Sequence, residues 1–224
     1  MSEVLLFDYW RSSAAYRVRI GLNLKGVRYD SRAINILPGR DEQLAADYLA
    51  LNRQGRVPMI RTPRGTLVQS MAILEWLDET RPDPGFLPVD PWDRAQVRAF
   101  AATVACDIHP LNNLATQRQI HAQWGDDPAG LKTWGEHWVG RGCEVLEGQL
   151  AGLPSHRFAF GDQPSLADIC LVPQLYNARR MGLDLSPYPR LVGVDAAARA
   201  HPAFAAAAPE LQPDAPETVS RAGL

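Results

Sequence analysis

The pattern of hydrophobic and polar positions changes character partway along the chain, and its beginning combines a short apolar run with a helical period. The run EVLLFDYW at residues 3–10 predicts a buried strand. Immediately after it, Ala15, Val18 and Leu22 share one face of a helix that would cover residues 11–26. This strand and helix predict that the chain opens with an α/β arrangement.

Further strands and helices alternate up to about residue 80. Apolar content and turn residues predict a second strand, a short helix, a β-hairpin with Pro63 and Gly65 in its turn, and a helix that begins at Ser70. The segments are VRYDSRAINI, DEQLAADYLA, RVPMI with TLVQ, and SMAILEWLDET. The predicted order is therefore β-α-β-α-β-β-α.

Four prolines within the segment RPDPGFLPVDP separate this region from the rest, because such a composition ends helices and forms a semi-stiff linker. Asp90 and Pro91 then supply an N-cap and a first helical residue, and Ser165 and Asp168 have capping-box spacing. Helical periods without strand-like alternation predict an α/β plus all-α protein. Its segments are an α/β domain at 1–82, a linker at 83–91, a helical domain at 92–213 and a disordered tail at 214–224.

Composition and charge exclude several classes of function. The chain has 224 residues and a net charge of −2, so it has no global basic surface for nucleic acid. No apolar stretch approaches the roughly 18 residues of a membrane span, and the N-terminus lacks the basic region of a secretory signal. Three scattered cysteines without a Cys-x-x-Cys pair predict neither a disulfide framework nor a metal site. We expect a cytoplasmic protein with no metal, nucleic-acid or membrane partner.

Two small hydroxyl side chains lie where the first strand passes into the first helix. Ser12 or Ser13 can cap this helix by accepting a hydrogen bond from a first-turn N–H. The same position can bind an anion or a thiolate, because the helix N–H groups and the positive end of the helix dipole point toward it. Arg11 adds a positive charge beside the two serines. The residues alone leave both a simple cap and an anion site open.

Two further junctions carry candidate binding residues. Pro58 lies at the start of a predicted strand, where proline is tolerated. A cis Val57–Pro58 bond would turn the backbone of Val57 toward an extended, peptide-like ligand. Gln69 and Ser70 lie at the start of the third helix, whose first N–H and serine hydroxyl could bind a carboxylate or act as a cap alone.

Taken in this order, these motifs resemble the zeta class of the glutathione transferases. The resemblance runs from about residue 4 to residue 213 and includes both predicted domains. It implies a thioredoxin-like βαβαββα domain followed by a C-terminal helical bundle. Within the class, the sequence is most similar to bacterial isomerases of maleylacetoacetate. The matching segments are RSSAAYRVRIGLNLKG, LNRQGRVPMI, QSMAILEWLDE, CDIHPLNNL, FGDQPSLADICLVPQLYNARR and DLSPYPRL.

The resemblance implies glutathione as the cofactor and assigns roles to individual residues. Ser12 matches the serine that donates a hydrogen bond to the glutathione sulfur, Ser13 is a second candidate for this catalytic task, and Arg11 contributes favourable potential. The other matches concern the backbone and the two ends of glutathione. They are Val57 with a cis bond to Pro58 for the cysteinyl backbone, Gln69 and Ser70 for the γ-glutamyl end, Gln43 for the glycyl part, and Asn112 from the helical domain.

The reaction that the resemblance implies is the glutathione-dependent conversion of maleylacetoacetate to fumarylacetoacetate. A thiolate adds to the cis double bond, the resulting single bond rotates, and elimination returns the trans product. The substrate carries two carboxylates, which suit arginine side chains. Arg180 matches the substrate-binding arginine of the class, with Arg11 second and Arg179 third, although arginines late in a helix can simply complement its dipole. His109 is a candidate base, but its place beside Pro110 is more typical of a structural histidine.

The sequence departs from the class pattern at two places. Ala14 stands where the class usually has a cysteine, which leaves the serine chemistry intact but opens other reactions. Leu114 and Ala115 follow the asparagine pair, where maleylpyruvate isomerases tend to have arginines. The alternatives are a maleylpyruvate isomerase, a broader zeta-class transferase or dehalogenase, and a glutathione-binding module without catalysis. The class forms homodimers, so we expect a homodimer that acts on a small dicarboxylate.

Overall fold

The computed structural model describes residues 3–125 and 127–218, which divide into two compact units. The first unit contains the described residues up to Gly85 together with those from His201 onward. The second unit contains residues 86–200. The predicted strands all lie in the first unit, and the second unit is helical.

The first unit begins with four strands and three helices in the predicted β-α-β-α-β-β-α order. They are β1 (Val4–Asp8), α1 (Ser13–Leu24), β2 (Tyr29–Ala33), α2 (Ala46–Leu51), β3 (Met59–Thr62), β4 (Gly65–Val68) and α3 (Ser70–Thr80). The strands form one mixed sheet in the order β2-β1-β3-β4. Strand β1 pairs in parallel with β2, so α1 supplies the crossover, whereas β3 and β4 form an antiparallel hairpin.

Apolar burial explains why β1 and α1 form where the sequence predicts them. Leu6 on β1 is fully buried in the described structure. The residues Ala15, Val18 and Leu22, which the helical period places on one face, are also fully buried. Removing such side chains from water stabilises the fold by about 25 cal/mol per Å² of apolar surface. The sheet and α1 are therefore held together by the face that the pattern identifies.

The C-terminal residues depart from the predicted domain boundaries. Helix α10 (Pro202–Ala206) and the described residues after it, up to residue 218, belong to the first unit, not to the helical domain expected at 92–213. The carbonyl of Ala207 accepts a hydrogen bond from Arg19 Nε at 3.0 Å, and the carbonyl of Ala203 accepts one from Asn23. Within the tail expected to be disordered, Asp214 accepts a bond from the backbone N–H of Trp10. Residues 219–224 of that tail lie outside the described residues.

The second unit is composed of helices and one π-helical segment. They are α4 (Pro91–Ala102), the π-helical segment Thr103–Ile108, α5 (His109–Asn112), α6 (Leu114–Trp124), α7 (Pro128–Ala151), α8 (Leu166–Met181) and α9 (Pro189–Arg199). Asp90 caps α4 as predicted, since its Oδ1 accepts from the backbone N–H of Trp92 at 2.9 Å. The π-helical segment lies just before Pro110, where the sequence predicts a bend.

Helix α8 forms the core of the helical unit, packing against α4, α7 and α9. Residues 166–175 are all buried. At its start, the fully buried carboxylate of Asp168 accepts from the backbone N–H of Ser165 at 2.8 Å, which confirms the predicted capping box. Its other end carries the exposed Arg179 and Arg180. The buried start of α8 thus fixes the place of two candidate substrate residues.

Within residues 3–125 and 127–218, none of the helices has the length and hydropathy that crossing a membrane requires.

Candidate functional site

The Ser-Ser motif lies at the start of α1, as predicted. Ser12 is the N-cap residue, and its Oγ accepts a hydrogen bond from the backbone N–H of Ala15 at 3.2 Å. Ser13 is the first residue of the helix, and both serines are half-buried. The first N–H groups of a helix and its dipole favour negative charge at this end. The Ser12 hydroxyl can therefore cap the helix with a lone pair and donate its proton to an anion in front of it.

A buried ion pair holds this junction in place. Arg19 Nη1 donates to both carboxylate oxygens of Asp8 at 2.8 and 2.9 Å, and its Nη2 donates to the carbonyl of Trp10 at 2.9 Å. Both charged side chains are almost completely buried. Burial raises the pKa of the Asp8 carboxyl, and the Arg19 charge acts in the opposite direction. The backbone that leads into Arg11 and Ser12 is thereby fixed to the interior of the unit.

The strand register brings the three predicted glutathione motifs to one edge of the sheet. Phe7 on β1 pairs with Met59 on β3, and Met59 pairs with Val68 on β4. Three strand ends therefore lie at the same edge of the sheet, within one or two residues of these pairs. They are the end of β1, the beginning of β3 and the end of β4. The Val-Pro and Gln-Ser motifs directly adjoin β3 and β4 at this edge, and Ser12 follows the end of β1 by four residues, where α1 begins. The strand register therefore directs three motifs that are scattered over about 60 residues of sequence to the same edge of the sheet.

The Val57–Pro58 peptide bond is cis. The loop before it is held by two side chains that the sequence reasoning did not single out. Tyr48 Oη and Asn52 Nδ2 both donate to the backbone carbonyl of Arg56, at 2.7 and 2.8 Å. Val57 thus follows a carbonyl whose position is fixed by two interior donors.

Gln69 has a backbone conformation that non-glycine residues rarely adopt, with φ 72° and ψ 117°. Such a conformation costs of order 1–3 kcal/mol and persists where the surroundings enforce it, commonly at functional sites. Its side chain donates from Nε2 to Gln54 Oε1 at 2.9 Å. Ser70, the next residue, begins α3, and its buried Oγ accepts from Arg17 Nη1 at 3.4 Å. Arg17 adds positive charge behind a serine that the resemblance assigns to a carboxylate.

Gln43 presents a buried acceptor atom. It lies in a 3-10 turn, Glu42–Leu44, and its side chain is 5% exposed. Its Nε2 donates to Asp41 Oδ1 at 3.3 Å, but its Oε1 has no hydrogen-bond partner among the described residues. A buried acceptor without a donor costs free energy, so this atom fits a ligand that brings an N–H group. This part of the first unit therefore fits a ligand that carries an amide N–H, as a peptide does.

The candidate residues of the helical unit form a hydrogen-bonded series. Arg180 Nη2 donates to Asn177 Oδ1 at 2.8 Å, and Asn177 Nδ2 donates to Asn112 Oδ1 at 3.0 Å. Asn177 is a residue that the sequence reasoning missed, although it lies inside the NARR segment. A signal was available in its spacing, since it precedes Arg180 by three residues on the same helix.

The other two candidates of this unit have different surroundings. Arg179 Nη2 donates to Asp195 Oδ2 at 2.5 Å, and Arg199 Nε donates to the same oxygen at 3.0 Å. Because the Asp195 carboxylate is fully buried, Arg179 neutralises an interior charge. His109 begins α5, and its backbone N–H donates to the Val104 carbonyl. The ion pair with Asp195 favours a structural role for Arg179 over a role in substrate binding.

The first unit contains no cysteine that could supply a thiol at the start of α1. Ala14 is half-buried there, and the cysteines of the sequence are at positions 106, 143 and 170, all in the helical unit. Burial raises the pKa of Cys143 to about 12, so its thiol stays protonated at neutral pH. The part of the chain that the structure describes holds no group of three or more His, Cys, Asp or Glu side chains placed for a metal ion. Within the first unit, sulfur chemistry at the start of α1 would therefore need a thiol from a ligand.

Comparison with known families gives two matches. Residues 11–80 match the family model "Glutathione S-transferase, N-terminal domain". Residues 139–207 match the model "Glutathione S-transferase, C-terminal domain". Together these models cover more than half of the chain and correspond to the α/β and helical regions.

Individual relatives extend over nearly the whole chain. The maleylacetoacetate isomerase of Pseudomonas aeruginosa is 48% identical over 212 residues, which are 94% of this chain and 98% of that protein. A holo structure of maleylpyruvate isomerase, described as a bacterial zeta-class glutathione-S-transferase, has a TM-score of 0.92 at 45% identity and covers 95% of this chain and 100% of that one. A maleylacetoacetate isomerase structure from Anaeromyxobacter dehalogenans, with dicarboxyethyl glutathione and citrate in its active site, has a TM-score of 0.83 at 43% identity, covering 96% of this chain and 94% of that one.

Proposed function

The chain belongs to the zeta class of the glutathione transferase family, and from that premise we propose that it is a glutathione-dependent isomerase converting maleylacetoacetate to fumarylacetoacetate. The observation that carries the proposal is the position of Ser12. Its hydroxyl caps the start of α1. Helix α1 begins after the end of β1, at the sheet edge where the Val-Pro and Gln-Ser motifs lie. A relative of 43% identity has a dicarboxyethyl derivative of glutathione in its active site, which is the kind of adduct that this chemistry forms.

Glutathione fits the residues of the first unit. We assign its sulfur to Ser12, with Ser13 and Arg11 alongside, its cysteinyl backbone to Val57, and its γ-glutamyl end to Gln69 and Ser70. We assign the glycyl part to Gln43, because its buried Oε1 has no donor among the described residues and can accept a hydrogen bond from the glycyl N–H. When bound, glutathione supplies the thiolate that adds to the conjugated double bond and is later eliminated.

The interactions available at the start of α1 can lower the pKa of a bound thiol enough to favour the thiolate. A free thiol titrates near 8.5, and lowering that pKa by two units needs roughly 2.7 kcal/mol of preferential stabilisation. A hydrogen bond to a charged group contributes about 1.5–3 kcal/mol. A helix N-terminus adds about 0.3–1 kcal/mol. The Ser12 hydroxyl and the α1 end together therefore account for a thiolate at neutral pH.

We assign Arg180 to a carboxylate of the substrate. Its guanidinium is exposed at the end of α8 and is held by a neutral amide, whereas Arg179 is engaged with the Asp195 carboxylate. A guanidinium can bind a carboxylate through two parallel N–H···O bonds, which suits a dicarboxylate substrate.

The experiment that tests this function is an isomerase assay on maleylacetoacetate with and without glutathione. We expect turnover that depends on glutathione in the wild type. Arg180→Met should raise KM about tenfold or more, because a charge-assisted hydrogen bond of about 1.5–3 kcal/mol is lost. Arg179→Met is the matched control and should lower the thermal midpoint while KM stays near the wild-type value. Tight glutathione binding without any isomerisation would contradict the proposal and favour a binding module.

Maleylpyruvate is the second candidate substrate. The TM-score of 0.92 with a maleylpyruvate isomerase favours it, while Leu114 and Ala115 stand where those enzymes tend to have arginines. The same assay with maleylpyruvate decides between the two, since the physiological substrate should give the higher kcat/KM.

We further propose that the enzyme is a cytoplasmic homodimer, as expected for its class. Light scattering should then give a mass of twice the 24.7 kDa of one chain. A mass that stays at 24.7 kDa over a range of protein concentrations would contradict the dimer.

A further inference from the structure

We propose that Asn177 is a positioning residue that orients the Arg180 guanidinium for the substrate carboxylate. This inference rests on the proposed substrate role of Arg180. The two side chains lie three residues apart on α8 and therefore on the same helical face. Asn177 Oδ1 accepts from Arg180 Nη2 at 2.8 Å.

The polarity of the hydrogen-bonded series is determined by a backbone carbonyl. Asn112 Nδ2 donates to the carbonyl oxygen of Ile108 at 3.3 Å, an acceptor that cannot exchange roles. The Oδ1 of Asn112 must then face Asn177, and it accepts a hydrogen bond from Asn177 Nδ2 at 3.0 Å. The oxygen of Asn177 is consequently the atom left for Arg180. Asn177 Nδ2 also donates to Met181 Sδ at 3.5 Å, so the same orientation of the Asn177 amide satisfies both of these acceptors and leaves its Oδ1 for Arg180.

The series runs from the interior of the helical unit to its surface. Asn112 is 8% exposed, Asn177 is half-buried and Arg180 is exposed. Hydrogen bonds in the low-dielectric interior are stronger than those in water. The buried Asn112 can therefore fix Asn177, and Asn177 can fix the exposed Arg180. The long side chain of Arg180 would otherwise lose rotamer entropy when it binds a ligand. Fixing it beforehand lowers that cost.

The neutral charge of Asn177 distinguishes Arg180 from its neighbour. Arg179 is held by the buried carboxylate of Asp195, which it shares with Arg199, so its guanidinium is engaged by an anion. An amide holds Arg180 through the same kind of bond but adds no negative charge of its own. A carboxylate at position 177 would hold the guanidinium equally well and would compete with an anionic ligand. The amide therefore orients this arginine without adding a negative charge that would compete with a dicarboxylate.

The test measures Asn177→Ala, Asn177→Asp and Gln117→Ala in the wild-type and Arg180→Met backgrounds. The readouts are KM and kcat for isomerisation, and the Kd of dicarboxyethyl glutathione measured by calorimetry. We expect Asn177→Ala to raise KM and this Kd about tenfold with kcat within twofold, and Asn177→Asp to raise both further. In the Arg180→Met background the same changes should have almost no effect, since residues that act through one another are not additive. Gln117, which donates to the backbone oxygen of Asn112, is the matched control and should leave both constants unchanged.

Equal effects of Asn177→Ala in the two backgrounds would overturn the proposal, because Asn177 would then act independently of Arg180. A lower thermal midpoint with unchanged KM and Kd would also overturn it, by showing a role in stability alone. The calorimetric arm separates this inference from the proposed function. If the wild type binds dicarboxyethyl glutathione but does not isomerise maleylacetoacetate, the function fails while the Kd values still decide the role of Asn177. Failure of the wild type to bind this adduct would overturn the inference.

Discussion

Replacing Ser12 with alanine is expected to lower kcat/KM for glutathione-dependent isomerisation by about 10²–10³-fold, the usual effect of removing one donor that stabilises a reacting anion. The Ser12 hydroxyl caps α1 and can donate to the glutathione sulfur, so the variant loses both bonds. The pH profile of kcat/KM should move to higher pH, because the thiol loses preferential stabilisation of its charged form. Steady-state kinetics from pH 5 to 9 would measure both effects.

The capping role of Ser12 needs its own control, because loss of an N-cap costs about 1 kcal/mol of stability. Ser12→Asp keeps a good N-cap but places a negative charge beside the thiolate. It should therefore preserve the thermal midpoint and still lose activity. Ser13→Ala tests which serine dominates and should have the smaller effect. If Ser13→Ala abolished turnover and Ser12→Ala did not, the assignment of the two serines would be reversed.

Replacing Asp168 with alanine is expected to lower the free energy of unfolding of the helical unit by roughly 3–5 kcal/mol, since each buried donor left without an acceptor costs about 1–3 kcal/mol. The carboxylate is fully buried and accepts three bonds, each of 2.8 Å. The donors are the backbone N–H of Ala159 and both the N–H and the hydroxyl of Ser165. Urea unfolding followed by circular dichroism would measure the loss.

The chain contains a matched exposed control for this prediction. Asp184 accepts from the backbone N–H and the hydroxyl of Ser186, at 2.9 and 2.8 Å, and is exposed to water. Asp184→Ala should change the urea midpoint little, because water satisfies the released donors. A similar loss in both variants would show that the hydrogen bonds, and not their burial, set the cost. The neutral Asp168→Asn keeps the shape and should fall between wild type and alanine.

Local patterns in the sequence predicted the elements of this fold because their signals lie within a few residues. The face formed by Ala15, Val18 and Leu22, the N-cap Asp90 and the Ser165–Asp168 capping box all depend on neighbours in one turn of helix. The placement of the glutathione motifs at one sheet edge depends on strand register between segments that are distant in sequence, which no local pattern specifies. The specific roles of these motif residues stay predictions until variants are measured.

The features that the sequence did not predict depend on contacts between residues that are distant along the chain. Asn177 and Asn112 are 65 residues apart, and no periodicity relates them. Asp195, which engages Arg179, lies on another helix, so the sequence could not rank the two neighbouring arginines by their surroundings. The C-terminal residues were assigned to the helical domain because their pattern is helical, whereas their partners belong to the first unit.

The hydrogen bond between Arg19 and the Ala207 carbonyl joins residues 188 positions apart within one unit. During translation, Arg19 leaves the ribosome long before the residue that it will bind has been made. The intervening helical unit is complete in sequence before the first unit has all of its parts. A nascent chain that has reached only Gly85 contains the whole four-stranded sheet, yet it lacks α10 and the backbone acceptors that follow it. The N-terminal unit therefore receives these hydrogen-bond partners only after the whole helical unit has been synthesised.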